Sequence, residues 1–434
     1  MFNSVDKDKK LNTGKVVIGF DLSDSFSQIS FYAEGADEPE TVSAVAGTEV
    51  YNIPTVLAKR PNVGQWFYGR EALTYAKNGG ILVDNLLTKA REGEEVIVES
   101  DAYDPVALLT LFIKRSLSML TLRVSAKNIE AFMFTVDKLD QRLVEVLSRV
   151  VTGLSLKCRQ ITYQSHVESF YHYMIHQPED LWRSKVLILE YNNYLKSLRF
   201  EASHNTTPEV VLINTEEYTD IRKMTWSEDE RTRDLQKSKF DETFKDTCER
   251  ILDNNDVRTV YLLGDGFKED WADESLKLLC DGRRVFQGNN LYSKGACYAV
   301  MDKINPSAES KRFVYLGEDK LKSNVGLKVL RRGEDSYYAI LDAGNSWFDA
   351  KRSFDIILDE GNEITFTVTS VAGGLISGRT IVLDGLPDRP MGTTRLNVQV
   401  EMTSVSELSV RIEDMGFGMI INKSGKVWNS SFKV

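Results

Sequence analysis

Beyond Pro306 apolar and polar positions alternate with a period of two. The alternation runs through SYYAILDAG, RSFDIIL and NEITFTVTSVAG and on across Ser377 to Ile420, where TIVLDGL, LNVQVEM and ELSVRIED follow one another and the Pro/Gly turn PDRPMG sits after the first. Such alternation predicts antiparallel hairpins with one buried face. Up to about Asn305 the pattern is mixed. Lys15 to Tyr32 (KVVIGFDLSDSFSQISFY) and Lys185 to Glu201 (KVLILEYNNYLKSLRFE) each read as a hairpin, and Phe67 to Ala76 as the start of a helix. Pro105 to Leu122 carries apolar residues at helical spacing. Ile129 to Val136 reads as a buried strand, followed by the helix DQRLVEVLSRVVTGL, closed near Gly153. A short strand near Arg159 to Tyr163, a helix over His166 to Ile175, a strand over Arg258 to Gly264 and the helices DESLKLLCD and GNNLYSKGACYAVMDKI complete this part. Two hairpins, each leading into α/β structure, suggest an internal duplication.

The charge run WSEDERTRDLQKSKFDETFKDTCERILDNN predicts solvated helices, not a binding site. A polar stretch follows Pro306, interrupted by Phe313, Val314, Tyr315 and Leu316, and four apolar residues in a linker are expected to dock.

At 434 residues the chain is expected to form two or three domains, and 42% apolar with 27% charged residues is ordinary for a globular protein. A net charge of −10 opposes a nucleic-acid surface, which needs clustered Lys and Arg. The charged start MFNSVDKDKKLNTGK lacks the apolar core of a signal peptide, and no run is long enough to span a bilayer, so a cytoplasmic protein with no membrane partner is expected. Cys158, Cys248, Cys280 and Cys297 show no CxxC spacing, which argues for reduced thiols. His172 and His176 share a helix face, but without the Glu of HExxH or an evident third ligand they read as partly exposed histidines, not metal ligands.

Taken in order, these elements resemble the seventy-kilodalton heat-shock chaperone family. IGFDLSDSFSQIS is similar to its first phosphate hairpin, the stretch from FTVDKLDQ to ESFYHY to its connecting strand-helix-strand-helix, and VLILEYNNYLKSLRF to its second hairpin. YLLGDGF and GNNLYSKGACYAV resemble its adenosine motif and the helix after it, and Ser377 to Ile420 the closing half of its peptide-binding β-sandwich. The resemblance covers nearly the whole chain. It implies an α/β actin-like (ribonuclease H-like) two-lobed nucleotide-binding domain over 1–305, a linker over 306–324 and an all-β sandwich over 325–434. It places a nucleotide cleft at Asp21, Ser23, Ser25, Gly264, Asp265 and Gly266. A peptide groove or the core beneath it falls to Phe354, Ile357, Ile364 and Phe366, of which alternation sends some inward.

Departures from the family reshape that expectation. Ser23, Asp24 and Ser25 stand where the family has Gly-Thr-Thr after its Asp-Leu, so Asp24 adds a negative charge near the phosphate position. Asn192, Asn193 and Tyr194 replace a run of three glycines, which should obstruct a backbone cradle for phosphate. Tyr163 aligns with the catalytic glutamate and Leu86 with the phosphate-side lysine, with Lys89 three positions on. Hydrolysis needs positioned water, metal and charge stabilisation together. The expectation is therefore a pseudo-ATPase without catalytic residues, holding ATP or ADP weakly or not at all and lacking a case for magnesium. Its partner would be a protein or extended peptide, bound without the family's helical lid. The alternative is an ATP-dependent chaperone whose site is rebuilt from residues such as Lys89 and Asp24.

Overall fold

The computed structural model describes residues 14–45, 47–203, 208–253, 255–370 and 376–434; the charged start of the chain thus lies almost wholly outside the described residues. The chain divides into two compact units between Val314 and Tyr315.

Two six-stranded sheets organise the first unit, and five strands of each run in the same order. In the first sheet, Val16–Leu22 pairs antiparallel with Phe26–Ala33 and parallel with Ile129–Val136, which in turn pairs parallel with Gln160–Ser165. Glu40–Thr41 follows on the hairpin side. In the second sheet, Lys185–Tyr191 pairs antiparallel with Tyr194–Ser203 and parallel with Val257–Leu263, beside which Arg284–Gln287 lies parallel, and Glu209–Arg222 takes the hairpin side. The expected duplication is thus visible as repeated strand order.

The central strands are apolar runs because both of their faces are covered. Every residue of Val16–Leu22 is buried. Gly19 in that strand has a specific cause: a Cβ there would stand 2.1 Å from the Ser293 carbonyl oxygen, so the Leu291–Ile304 helix lies directly on the strand backbone. The charge run forms one helix, Glu230–Leu252, capped by Asp229 and burying Phe244, Cys248 and Ile251 along one stripe. Two details differ from expectation. Trp66–Tyr68 is a short strand, so the helix expected from Phe67 begins at Gly69. Glu209–Arg222 is a long strand whose exposed Thr and Glu positions hid its alternation.

In the second unit two four-stranded antiparallel sheets enclose one apolar core. Val325, Leu327, Ile364, Phe366 and Val368 enter it from one sheet and Leu396, Val398, Val400, Leu408, Val410 and Ile412 from the other. The four residues expected to line a groove or the core beneath it divide between the two faces. Ile364 and Phe366 are core residues, and Phe354 packs onto the core beside Tyr338 with ring centroids 5.3 Å apart. Ile357 points the other way, 56% exposed, because the period-two pleat sends neighbours on one strand to opposite faces. Among the described residues no helix is long and apolar enough to cross a membrane.

Candidate functional cleft

Within the first unit the turns of the two hairpins face one cleft of about 350 Å³. Its walls come from strand ends: Asp21 at the close of the first strand, Asp137 and His166 just past the parallel strands Ile129–Val136 and Gln160–Ser165, Glu190 in the second hairpin, and Leu263 and Gly264 at the exit of Val257–Leu263. Ligands of open α/β sheets gather at the carboxyl ends of strands in this way. Lys196 and Tyr292 complete the charged end.

The side chains of that end are paired with one another. His166 Nε2 lies 2.7 Å from Asp21 Oδ1, with both side chains nearly out of water. Burial alone would push the imidazole toward neutrality, but the Asp21 carboxylate outweighs it and the His166 pKa rises. Tyr292 stacks flat on this ring and donates its hydroxyl to Glu190 Oε2 at 3.0 Å. Burial raises the Glu190 pKa, opposed in part by His166 and Lys196. The buried Lys196 donates to Asp137 Oδ1 at 2.6 Å, which raises the ammonium pKa despite its desolvation; burial opposes ionisation of Asp137, but His166 and Lys196 together outweigh it and hold the carboxyl below its usual range.

Both turns are also filled by their own side chains. In the first, Ser23 Oγ donates to the Phe26 carbonyl at 2.7 Å and accepts from the Phe26 N–H at 3.3 Å. Asp24, also on the cleft wall, caps a helix: its carboxylate accepts from the N–H groups of Leu87 and Thr88 at 2.8 and 3.1 Å and from the Thr88 hydroxyl at 2.6 Å. In the second, Asn192 donates to Glu190 Oε1 at 3.1 Å and accepts from the Asp265 N–H at 3.2 Å. Tyr194 lines the cleft beside it.

A family model described as family of unknown function (DUF5716), C-terminal, matches residues 38–318, well over half of the chain. The chain belongs to the DUF5716 family. A second model, described as domain of unknown function (DUF8552), matches residues 320–434. No curated protein matches the chain.

In this DUF5716 member the residues singled out in sequence do not all meet. Asp21, Ser23, Ser25 and Gly264 line the cleft. Asp265 is paired with Lys268 at 2.6 Å, and Gly266 serves packing. A Cβ on Gly266 would stand 2.1 Å from the Tyr191 ring, and one on Gly264, at φ +100°, 2.4 Å from the Tyr191 carbonyl oxygen. Tyr191 cannot yield, because Phe240, Phe244, Phe267 and Trp271 surround it. Tyr163 packs on the first-sheet core. Lys89 is bound to Asp84, through its carbonyl at 2.7 Å and its carboxylate at 3.2 Å.

Sequence reading missed Asp137, His166, Lys196 and Tyr292 as cleft residues. A usable signal existed for two of them: Asp137 and His166 follow directly on parallel strands, where the carboxyl-end rule places ligand contacts. Lys196 could be found only as a charge among the apolar positions of a buried strand, and Tyr292 carried no signal. Among the described residues no group of three His, Cys, Asp or Glu is placed to hold a metal ion. The four cysteines are unpaired.

Proposed function

We propose that this chain is a divergent relative of the seventy-kilodalton heat-shock chaperones. In this reading the first unit is a duplicated actin-like nucleotide-binding fold that no longer hydrolyses ATP, the second a β-sandwich, and the whole a cytoplasmic scaffold for a protein or extended peptide. The repeated strand order of the two sheets supports the fold assignment, and the unpaired thiols suit a reducing compartment.

The observation that carries the loss of hydrolysis is the internal pairing of the cleft acids. A magnesium ion on Asp21 would have to displace His166 from 2.7 Å, and one on Asp137 would have to displace Lys196 from 2.6 Å. Phosphate oxygens would meet Asp21, Asp137 and Glu190 with only Lys196 and His166 to offset them, and both cations are already engaged. Phosphoryl transfer depends on charge stabilisation held free for the transition state. The helix-capping bonds of Asp24 and the ion pair of Lys89 with Asp84 favour this reading over a site rebuilt from residues such as these two.

Phosphate release from ATP, followed with the full chain in magnesium with and without an unfolded protein client, tests this reading. Release no faster than from a buffer blank is expected. Turnover stimulated by client would overturn it.

A further inference from the structure

The His166–Ile175 and Leu291–Ile304 helices cross in backbone contact: a Cβ on Gly295 would stand 1.9 Å from the Ser169 carbonyl oxygen. Beyond the crossing, near the carboxyl ends of both helices, sits a cluster that the cleft does not use. His172 Nδ1 lies 3.6 Å and His176 Nε2 3.4 Å from Asp302 Oδ2, while Glu168 Oε1 lies 3.9 Å from His172 Nε2. The sequence shows the two histidines but no third group; the fold brings Asp302 to them from the other helix. They are not surface residues, since the four side chains keep only 5 to 15% of their exposure.

The hydrogen-bond geometry assigns a role to each imidazole nitrogen of His176. Its Nδ1 faces the His172 carbonyl at 2.8 Å, where it can only donate, so Nε2 is the atom that gains or loses a proton toward Asp302. Its ring lies flat on Tyr298, 4.3 Å between centroids, which fixes that orientation. The other Asp302 oxygen accepts from the Ser307 N–H at 3.1 Å. With Nε2 protonated, Asp302 faces a cation in a nearly dry interface. With Nε2 neutral, two lone pairs face each other and a buried carboxylate loses its counter-charge, an arrangement that buried groups do not tolerate at low cost.

We infer that His176 and Asp302 form a proton-operated clasp between these two helices, closed when the His176 imidazole is charged and released when it loses its proton. The same helices begin at the cleft, where His166 stacks on Tyr292 with ring centroids 4.1 Å apart. A change in their crossing therefore reaches the cleft wall through rigid helix.

The surrounding groups leave the His176 imidazole as the titrating element. Tyr171 on the same helix, Tyr298 on the facing helix and Tyr32 from Phe26–Ala33 have hydroxyl pKa values raised by burial and stay neutral. Glu168 and, from the Ala308–Arg312 helix, Glu309 add negative charge on the side of the clasp. Burial disfavours the His176 imidazolium, but Asp302 outweighs it and the His176 pKa rises; Asp302 is correspondingly held far below the usual carboxylate range. A raised histidine pKa stabilises fully below the unfolded value of about 6.5, and that contribution is lost as pH rises through the folded value.

The test is amide exchange of Leu291–Ile304 in the full chain at pH 6 and pH 9, corrected for intrinsic rates, with NMR titration of the His176 ring. The expected result is a loss of protection from pH 6 to pH 9, as the His176 ring gives up its proton. His176→Gln and Asp302→Asn should each flatten that dependence. Unchanged protection in the parent, or full pH dependence kept in His176→Gln, would overturn the clasp. Should the variants fail to fold, a parent His176 ring titrating below about 6.5 does so on its own.

Discussion

The imidazole of His166 lies flat on the phenol ring of Tyr292, its plane 6° from parallel, while its Nε2 reaches Asp21 at 2.7 Å. Three elements distant in sequence are thereby joined at the acidic end of the cleft, and the Asp21 carboxylate is engaged by the His166 imidazole. Asp21→Asn should leave His166 without its counter-charge. The expected cost is about 3 kcal/mol at pH 6, in the range for breaking a buried ion pair. Because the His166 pKa is raised, the pair stabilises below the unfolded histidine value and fades as pH rises through the folded one. The gap between parent and variant in urea unfolding should therefore shrink by pH 9. A gap independent of pH would mean the pair carries no charge.

Asp24 offers a second check. The Leu86–Glu92 helix starts from Asn85 at φ +50° with no cap of its own, and Asp24 satisfies its first N–H groups from across the fold. Asp24→Ala should cost about 1 kcal/mol, as for loss of an N-cap. Amide exchange should rise over residues 86–92 with little change elsewhere. An effect confined to the cleft would argue that Asp24 is a ligand contact.

Gly266→Ala separates packing from ligand approach. With the Tyr191 ring enclosed by aromatic neighbours, the added methyl must force the whole cluster apart. A loss of about 1–3 kcal/mol is expected from overpacking. Melting of the ligand-free protein measures it, and an unchanged midpoint would show that the glycine is not required by the core.

How much of this was legible in the sequence depends on the kind of signal. Val16–Leu22 and Lys185–Tyr191 announce themselves because strands covered on both faces are apolar throughout. Gly264 and Gly266 were legible as glycines but not as to cause, since a glycine beside a ligand and one beneath Tyr191 look alike in one dimension. Asp24 read as a cleft charge because its helix partner lies more than sixty residues away. Asp302 could not be matched to His172 and His176 for the same reason: local spacing shows which side chains share a helix face, not what a second helix brings to it.

The second unit has its own acid-sensitive point. Arg389 grips Asp414 through both guanidinium nitrogens at 2.7 Å, and Gly416 and Ser424 donate backbone N–H groups to the same carboxylate. Burial opposes ionisation of Asp414, but these donors outweigh it and hold its pKa far below the usual range. A depressed carboxyl stabilises above its unfolded value of about 3.9, and that contribution is lost as pH falls toward the folded one. Arg389→Ala should cost about 3–5 kcal/mol at pH 7 and less at pH 3. Exchange over Thr394–Ser404 and Glu407–Gly416 reports it, and equal cost at both pH values would contradict the linkage.

In the proposed reading Asp21 and Asp137 are committed to His166 and Lys196 and do not serve a magnesium–nucleotide complex. Calorimetric titration of the full chain with ATP, in the presence and absence of magnesium, tests it most directly. The expected result is no magnesium-dependent heat of binding; saturable binding that appears only with magnesium would contradict the account.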